Sequence, residues 1–277
     1  MDGGWTASDA AVLLRVPTAS DDKYSRGVLG VRTGSRQYPG AAVLGVEAAW
    51  RTGIGMVRYL GPDGATDLVL HRRPETVTVD GRVQAWLIGS GTDAATRSPE
   101  ETAALRAILA ADAPVVVDAG ALDLVAGAAA PIVVTPHDRE HARLREALGL
   151  PTTPRDGDRT AAARETAEAL GGSVLLKGSR TVVATPGGWT TVLPEATAWL
   201  STAGTGDVLG GVLGAVVAGA VAQRRVDAEL LGRLAATASL LHARAAALAV
   251  DAANGGPIAA LDVAERLPAA WAQLRRR

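Results

Sequence analysis

Short runs of β-branched residues alternate with longer stretches of helical spacing along nearly the whole chain, and few architectures accept that rhythm. Such alternation builds βαβ units, whose strands lie parallel and whose helices cover both faces of one sheet. The pattern predicts strands at Gly27 to Arg32, Met56 to Leu60, Val83 to Ile88, Val115 to Asp118, Ile132 to Thr135 and Val174 to Lys177. Val115-Val116-Val117 and Val174-Leu175-Leu176 are apolar without alternation, as strands buried on both faces should be. Beyond them the character changes. Arg180 to Thr185 and Trp189 to Leu193 flank Pro186-Gly187-Gly188, a turn signal that implies an antiparallel hairpin at one edge of the sheet.

Helices are expected at Gly40 to Thr52, Pro99 to Ala111, Asp138 to Leu148, Arg159 to Leu170, Asp207 to Ala222, Asp227 to Val250 and Leu261 to Gln273. Val208 to Ala222 holds only apolar residues and glycine, and Gln223-Arg224-Arg225 follows at once. A membrane span needs roughly 20 apolar residues, so this run is placed inside a globular core.

Composition narrows the function. The chain has 277 residues, 48% of them apolar, and its 28 basic residues nearly cancel 29 acidic ones. Neither a nucleic-acid surface nor a membrane role is expected from that balance. Cysteine is absent, which removes disulfides, thiolate metal sites and cysteine nucleophiles. The start, Met1-Asp2-Gly3-Gly4-Trp5, lacks the basic and apolar segments of a secretory signal, so a cytoplasmic location is the default expectation. Only two lysines occur, Lys23 and Lys177.

Gly204-Thr205-Gly206-Asp207 stands directly before the apolar helix. Free N–H groups at such a helix start favour an anion, and glycines let phosphate oxygens approach the backbone, so Gly204, Thr205 and Gly206 form a candidate anion hole. Asp207 is either a carboxylate that complements the helix dipole or a base that takes a proton from an attacking hydroxyl. The glycine spacing fits neither a dinucleotide fingerprint nor a phosphate loop ending in Gly-Lys-Ser/Thr. Lys177 leaves the carboxyl end of a strand, where open α/β sheets bind ligands, although taken alone Lys177-Gly178-Ser179-Arg180-Thr181 reads more simply as a solvated turn. His137 and His141 share one helix-face spacing, but no third metal ligand suggests itself, and solvated surface histidines are the simpler expectation. Asp118-Ala119-Gly120-Ala121-Leu122 and Gly89-Ser90-Gly91-Thr92-Asp93 also end strands in turn-forming residues.

The order and wording of these segments resemble the ADP-dependent NAD(P)H-hydrate dehydratase family of the ribokinase-like superfamily. The resembling segments are Tyr38-Pro39-Gly40-Ala41-Ala42, Arg51-Thr52-Gly53-Ile54-Gly55-Met56-Val57, Asp118 to Leu122, Thr135-Pro136-His137, Leu176 to Thr181 and Gly204 to Asp207. The tail from Ala260-Leu261-Asp262-Val263 to Leu267-Pro268 is similar too. The resemblance implies a ribokinase-like three-layer α/β/α fold with a mostly parallel central sheet and an antiparallel edge hairpin. It implies a hydro-lyase that uses ADP to phosphorylate the ring hydroxyl of the (6S) hydrate of NADH or NADPH, after which phosphate leaves.

By matching position, Ala41, Gly91, His137 and Asp207 would contact the hydrate. Lys177, Gly178, Ser179, Arg180, Thr181 and Gly206 would hold the nucleotide, with Asp207 as base and Mg²⁺ accompanying ADP. One dehydratase domain over residues 1–277, without the N-terminal epimerase domain of many members, and a homo-oligomer are the corresponding expectations. Three segments depart from the family wording: Asp138-Arg139-Glu140, Gly89 to Asp93 and Ala198-Trp199-Leu200-Ser201. A small-molecule kinase of the same superfamily and a catalytically silent nucleotide-binding homologue therefore stand as alternatives.

Overall fold

In the computed structural model, residues 4–152 and 158–276 are described; the opening Met1-Asp2-Gly3 lies outside them. Six parallel strands form most of one sheet: β1 (Val28–Arg32), β2 (Met56–Tyr59), β3 (Ala85–Ile88), β4 (Val115–Val117), β5 (Ile132–Val134) and β6 (Ser173–Leu176). The hairpin strands β7 (Val182–Ala184) and β8 (Thr190–Val192) complete it in the order β2-β1-β3-β4-β5-β6-β7-β8. Val116 pairs with Val133 in parallel register, whereas Val183 faces Thr191 across the antiparallel edge. Each sequence-predicted strand is present, shifted by one or two residues at its ends. The fold is the mostly parallel, ribokinase-like sheet with an edge hairpin that the resemblance implies.

The helices are α1 (Ala7–Leu13), α2 (Pro39–Arg51), α3 (Asp63–Arg72), α4 (Pro99–Leu109), α5 (Asp138–Ala147), α6 (Arg159–Leu170), α7 (Thr205–Val221), α8 (Ala228–Ala252) and α9 (Ala260–Arg275). Successive side chains of a strand point to opposite faces, so the sheet feeds two separate cores. Val116 and Leu87 pack with α2, α7, α8 and α9 on one side; Val115, Val117 and Ile88 pack with α4, α5 and α6 on the other. Among the described residues, no helix is long and apolar enough to cross a membrane.

Helix α7 lies at the centre of the first core, which explains why it is apolar all round. Its glycines set how closely it sits. A Cβ on Gly211 would overlap the carbonyl oxygen of Gly45 in α2, so the two helix backbones touch there. A Cβ on Gly214 would lie 2.9 Å from Leu29 of β1. This close seating places the first turn of α7 at the carboxyl edge of the parallel strands, beside the start of α2.

Helices α1 and α3 were not expected. Each buries only two residues, Ala10 and Ala11 in one, Ala65 and Val69 in the other, too few to create a periodic signal. Tertiary contacts secure α3 instead. The fully buried carboxylate of Glu47 in α2 receives Arg51, Arg72 and Arg73; burial opposes its ionisation, but the three guanidinium groups hold its pKa at about 2.

Candidate active site

Four neighbouring strand ends supply a row of polar side chains. Asp118, just past β4, is 3% exposed, and its Oδ1 accepts hydrogen bonds from Lys177 Nζ at 2.8 Å and Thr135 Oγ1 at 2.7 Å. Its Oδ2 accepts from Ser90 Oγ at 3.0 Å. Burial alone would raise the acid's pKa, but the Lys177 charge and the three donors hold it below the ordinary value. Ala119, next in the chain, takes φ +46°, a conformation uncommon for residues with a Cβ, and this turns the backbone sharply beneath the carboxylate.

Lys177 leaves β6 toward this row and also approaches Glu140 Oε2 at 3.9 Å. Burial disfavours its ammonium form, yet Asp118 and Glu140 more than offset that and keep it protonated. The loop after it is exposed and is held by Arg159 of α6, which donates to the carbonyls of Lys177 and Arg180 at 2.8 Å each. A Cβ on Gly178 would lie 2.6 Å from that guanidinium. Gly178 thus makes room for Arg159, while Ser179 and Arg180 face solvent and Thr181 is half-buried.

The start of α7 faces Lys177. Gly204 holds φ +89°, a left-handed turn suited to glycine, and a Cβ there would also meet Leu44 at 2.5 Å. The Thr205 hydroxyl is used locally, donating toward the carbonyls of Leu200 and Thr202. No side chain among the described residues caps α7; the Thr205 N–H turns back to the Thr202 carbonyl at 3.4 Å, and those of Gly206 and Asp207 are left for a ligand. A Cβ on Gly206 would meet only Lys177 Nζ, at 3.8 Å, so the ammonium and the open helix start converge on one small space.

Asp207 follows, half-buried and without an ion-pair partner among the described residues. Burial, and then the negative charge of Asp118, push its pKa up to about 6, with Lys177 pulling the other way. Its proton affinity is therefore placed near neutral pH, which suits proton transfer.

Ala41 and Gly91 meet although fifty residues of chain separate them. Gly91 takes φ +68°, and a Cβ on it would lie 2.5 Å from the Ala41 Cβ and 2.8 Å from the Tyr38 carbonyl oxygen. The sequence-predicted residues thus form two adjoining groups, Ala41 with Gly91 and Lys177 with Gly206 and Asp207. His137 stands at the rim as the N-cap of α5. Its Nδ1 accepts from the backbone N–H groups of Arg139 and Glu140, at 3.1 and 3.3 Å, while Nε2 of the half-exposed ring lies 3.5 Å from Glu140 Oε1.

The surface reading of His141 is incorrect. That ring is 5% exposed, its Nε2 lies 2.9 Å from Thr166 Oγ1, and burial pushes its pKa down to about 4. It points into the second core and not toward His137. No cluster of three potential metal ligands occurs among the described residues. The sequence reading also missed Arg159 and the hub role of Asp118. A further omission is His242 of α8, which lies buried within hydrogen-bond reach of the Thr205 backbone, its Nε2 without a partner among the described residues.

Comparison with known proteins agrees with this geometry. A family described as NAD(P)H-hydrate dehydratase matches residues 29–268. A bifunctional NAD(P)H-hydrate repair enzyme of Mycobacterium leprae is 43% identical over 92% of this chain and 52% of its own length. An ADP-dependent (S)-NAD(P)H-hydrate dehydratase of Neisseria meningitidis is 35% identical over 69% of each chain. The ADP/ATP-dependent NAD(P)H-hydrate dehydratase of Bacillus subtilis, co-crystallised with ATP/Mg²⁺, superposes with a TM-score of 0.83 at 26% identity, covering 98% of both chains. The chain spans about half the length of the bifunctional relatives it matches.

Proposed function

Because the chain belongs to the NAD(P)H-hydrate dehydratase family, we propose that it repairs the (6S) hydrate of NADH or NADPH at the expense of ADP. The observation that carries this reading is the convergence of Asp207, Lys177 Nζ and the uncapped start of α7 on one space. In the proposed reaction, Asp207 accepts the proton of the substrate hydroxyl as its oxygen bonds to the β-phosphorus of ADP and the bond to AMP breaks. Phosphate then departs, the ring loses a proton, and the double bond of the dihydronicotinamide re-forms. AMP and phosphate are the by-products, one of each per ring restored.

The chain's own groups would divide the work. The N–H groups of Gly206 and Asp207 hold the migrating phosphoryl oxygens, and Lys177 offsets their charge. Asp118 fixes Lys177 through a salt bridge and two hydroxyl contacts on its own carboxylate, so little reorganisation is needed during transfer. Lys177 to Thr181 line the nucleotide side, while Ala41, Gly91 and His137 line the side of the hydrate. The close contact at Gly91 leaves a flat, side-chain-free wall, and the half-exposed His137 ring stands at its rim beside Glu140.

A nucleotide diphosphate enters beside the carboxylates of Asp118, Glu140 and Asp207, with Lys177 among them and Arg159 and Arg180 at the loop beyond. Mg²⁺ would neutralise part of the diphosphate charge in this environment. The residues fit an ion held chiefly by phosphate oxygens and water, with Glu140 and Asp207 as the carboxylates at hand; they do not form a cage that holds a metal alone. Work in the cytoplasm as a homo-oligomer completes the proposal.

Purified protein given hydrated NADH and ADP should restore the reduced nicotinamide absorbance and release AMP one for one. No turnover with either ADP or ATP would reject the reading. A stable phosphorylated product with ATP consumed to ADP would instead favour a small-molecule kinase.

A further inference from the structure

At the end of α7 remote from Asp207, a cavity of about 240 Å³ opens between α1, the end of α2, α8 and α9. Leu13, Leu14, Ile54, Val216, Leu234 and Trp271 supply the apolar part of its walls, about half of the lining. Its charged lining residues are Arg15, Arg26 and Arg224, and no carboxylate lines it among the described residues. Arg15 is answered by Asp21, whereas Arg26 and Arg224 have no ion-pair partner among the described residues. Arg26 donates through Nη2 to the Gly53 carbonyl at 3.0 Å, and its Nε is buried without an acceptor among the described residues. A guanidinium group fits a carboxylate better than any neutral group, and the two without ion-pair partners give this lining a net positive charge.

Gly219 adds an independent observation. Glycine weakens a helix interior, and the glycines earlier in α7 have a local reason: a Cβ on Gly210, Gly211 or Gly214 would press on Leu87, Gly45 or Leu29. Gly219 has none. A Cβ there would meet only the Arg26 carbonyl oxygen, at an ordinary 3.7 Å, and the residue lines the cavity. The missing side chain keeps open a hole, not a helix contact.

We propose that this cavity binds a small amphipathic anion, a carboxylate on a short aliphatic body, with the carboxylate at the guanidinium groups of Arg26 and Arg224 and the body against Val216, Gly219 and Trp271. The volume falls below the roughly 300 Å³ at which ligand pockets usually begin, which limits the occupant to a small molecule. The site is separate from the phosphoryl-transfer site: Asp207 and Gly219 are twelve residues apart on one helix, about 18 Å at 1.5 Å per residue.

Octanoate is the probe, with octylamine as its cationic counterpart, and binding is read by calorimetry and tryptophan fluorescence on the full chain. Octanoate should bind saturably at one site per chain, and octylamine should not. Gly219→Leu fills the hole with a better helix former, so it should weaken octanoate binding at least about tenfold while melting no lower than the parent. Arg26→Met keeps the hole but removes the anchor, and should cost a similar factor, about tenfold, from one lost charge-assisted hydrogen bond. Nucleotide binding, measured in parallel, should be unchanged in Gly219→Leu, which separates failure of this site from failure of the catalytic reading. Absence of saturable octanoate binding, equal binding by Gly219→Leu, or equal binding of octylamine would overturn the proposal.

Discussion

Replacing Asp118 by Asn exchanges the buried negative charge beneath Lys177 for a neutral amide of nearly the same shape. The geometry tolerates the change: the amide oxygen can keep the Lys177 and Thr135 contacts, and the amide NH₂ can donate to Ser90 Oγ, 3.0 Å from the present Oδ2. Breaking a buried ion pair costs about 3–5 kcal/mol. The lower end applies, because the Lys177 side chain is 22% exposed and retains Glu140 at 3.9 Å. At about 2 °C per kcal/mol for a large domain, the variant should melt roughly 6 °C lower.

The more discriminating effect falls on Asp207. Burial, the leading cause of its raised pKa, survives the substitution, whereas the repulsion from Asp118 is lost and the attraction of Lys177 remains. Its pKa therefore falls from about 6 without reaching the ordinary carboxylate value. Since the base must be ionised, the acid limb of kcat/KM moves to lower pH, while the plateau drops because a weaker base removes the proton less well. The assay is the kcat/KM profile between about pH 4.5 and 8 for both proteins. A limb that stays near pH 6 or moves upward would refute the electrostatic link between the two carboxylates.

Further outcomes follow from the same geometry. Gly206→Ala has room in the fold but would aim a methyl at Lys177 Nζ, so its melting temperature should hold while ADP affinity falls at least about tenfold by calorimetry. His141 and His242 are neutral when folded, with pKa values pushed to about 4 by burial, and they charge near 6.5 when unfolded. Their contribution is present above pH 6.5 and lost as pH falls toward 4, at ~1.4 kcal/mol per pH unit for each. Asp207 acts with the opposite sign, because its raised pKa makes the folded state bind an extra proton between about 4 and 6. Urea unfolding at several pH values should therefore give a shallow slope in the parent and a steeper one in Asp207→Asn. That variant should also be the more stable of the two at pH 7, where the parent holds a partly buried charge.

Elements that bury a continuous face were legible in the sequence. Val115-Val116-Val117 feeds both cores and could not be a surface strand, and α7 is apolar because neighbours surround it. α1 and α3 escaped because little of either is buried, although Thr6 and Asp9 form a capping box that marks the first. Within the candidate site, Lys177 and Asp207 stood out as isolated polar residues at the ends of apolar segments. Asp118 did not, because its role depends on Lys177, 59 residues away, and on burial that a turn-like Asp-Ala-Gly does not reveal. Arg159 and His242 act by reaching from one element beneath another, and no local spacing encodes that reach.

The assignment of Asp207 as the base is tested most directly by single-turnover kinetics of Asp207→Asn with ADP and hydrated NADH, alongside the ADP affinity of the same protein. The account predicts a rate at least about 100-fold lower with ADP binding nearly unchanged. A loss smaller than about tenfold would mean that another group takes the proton.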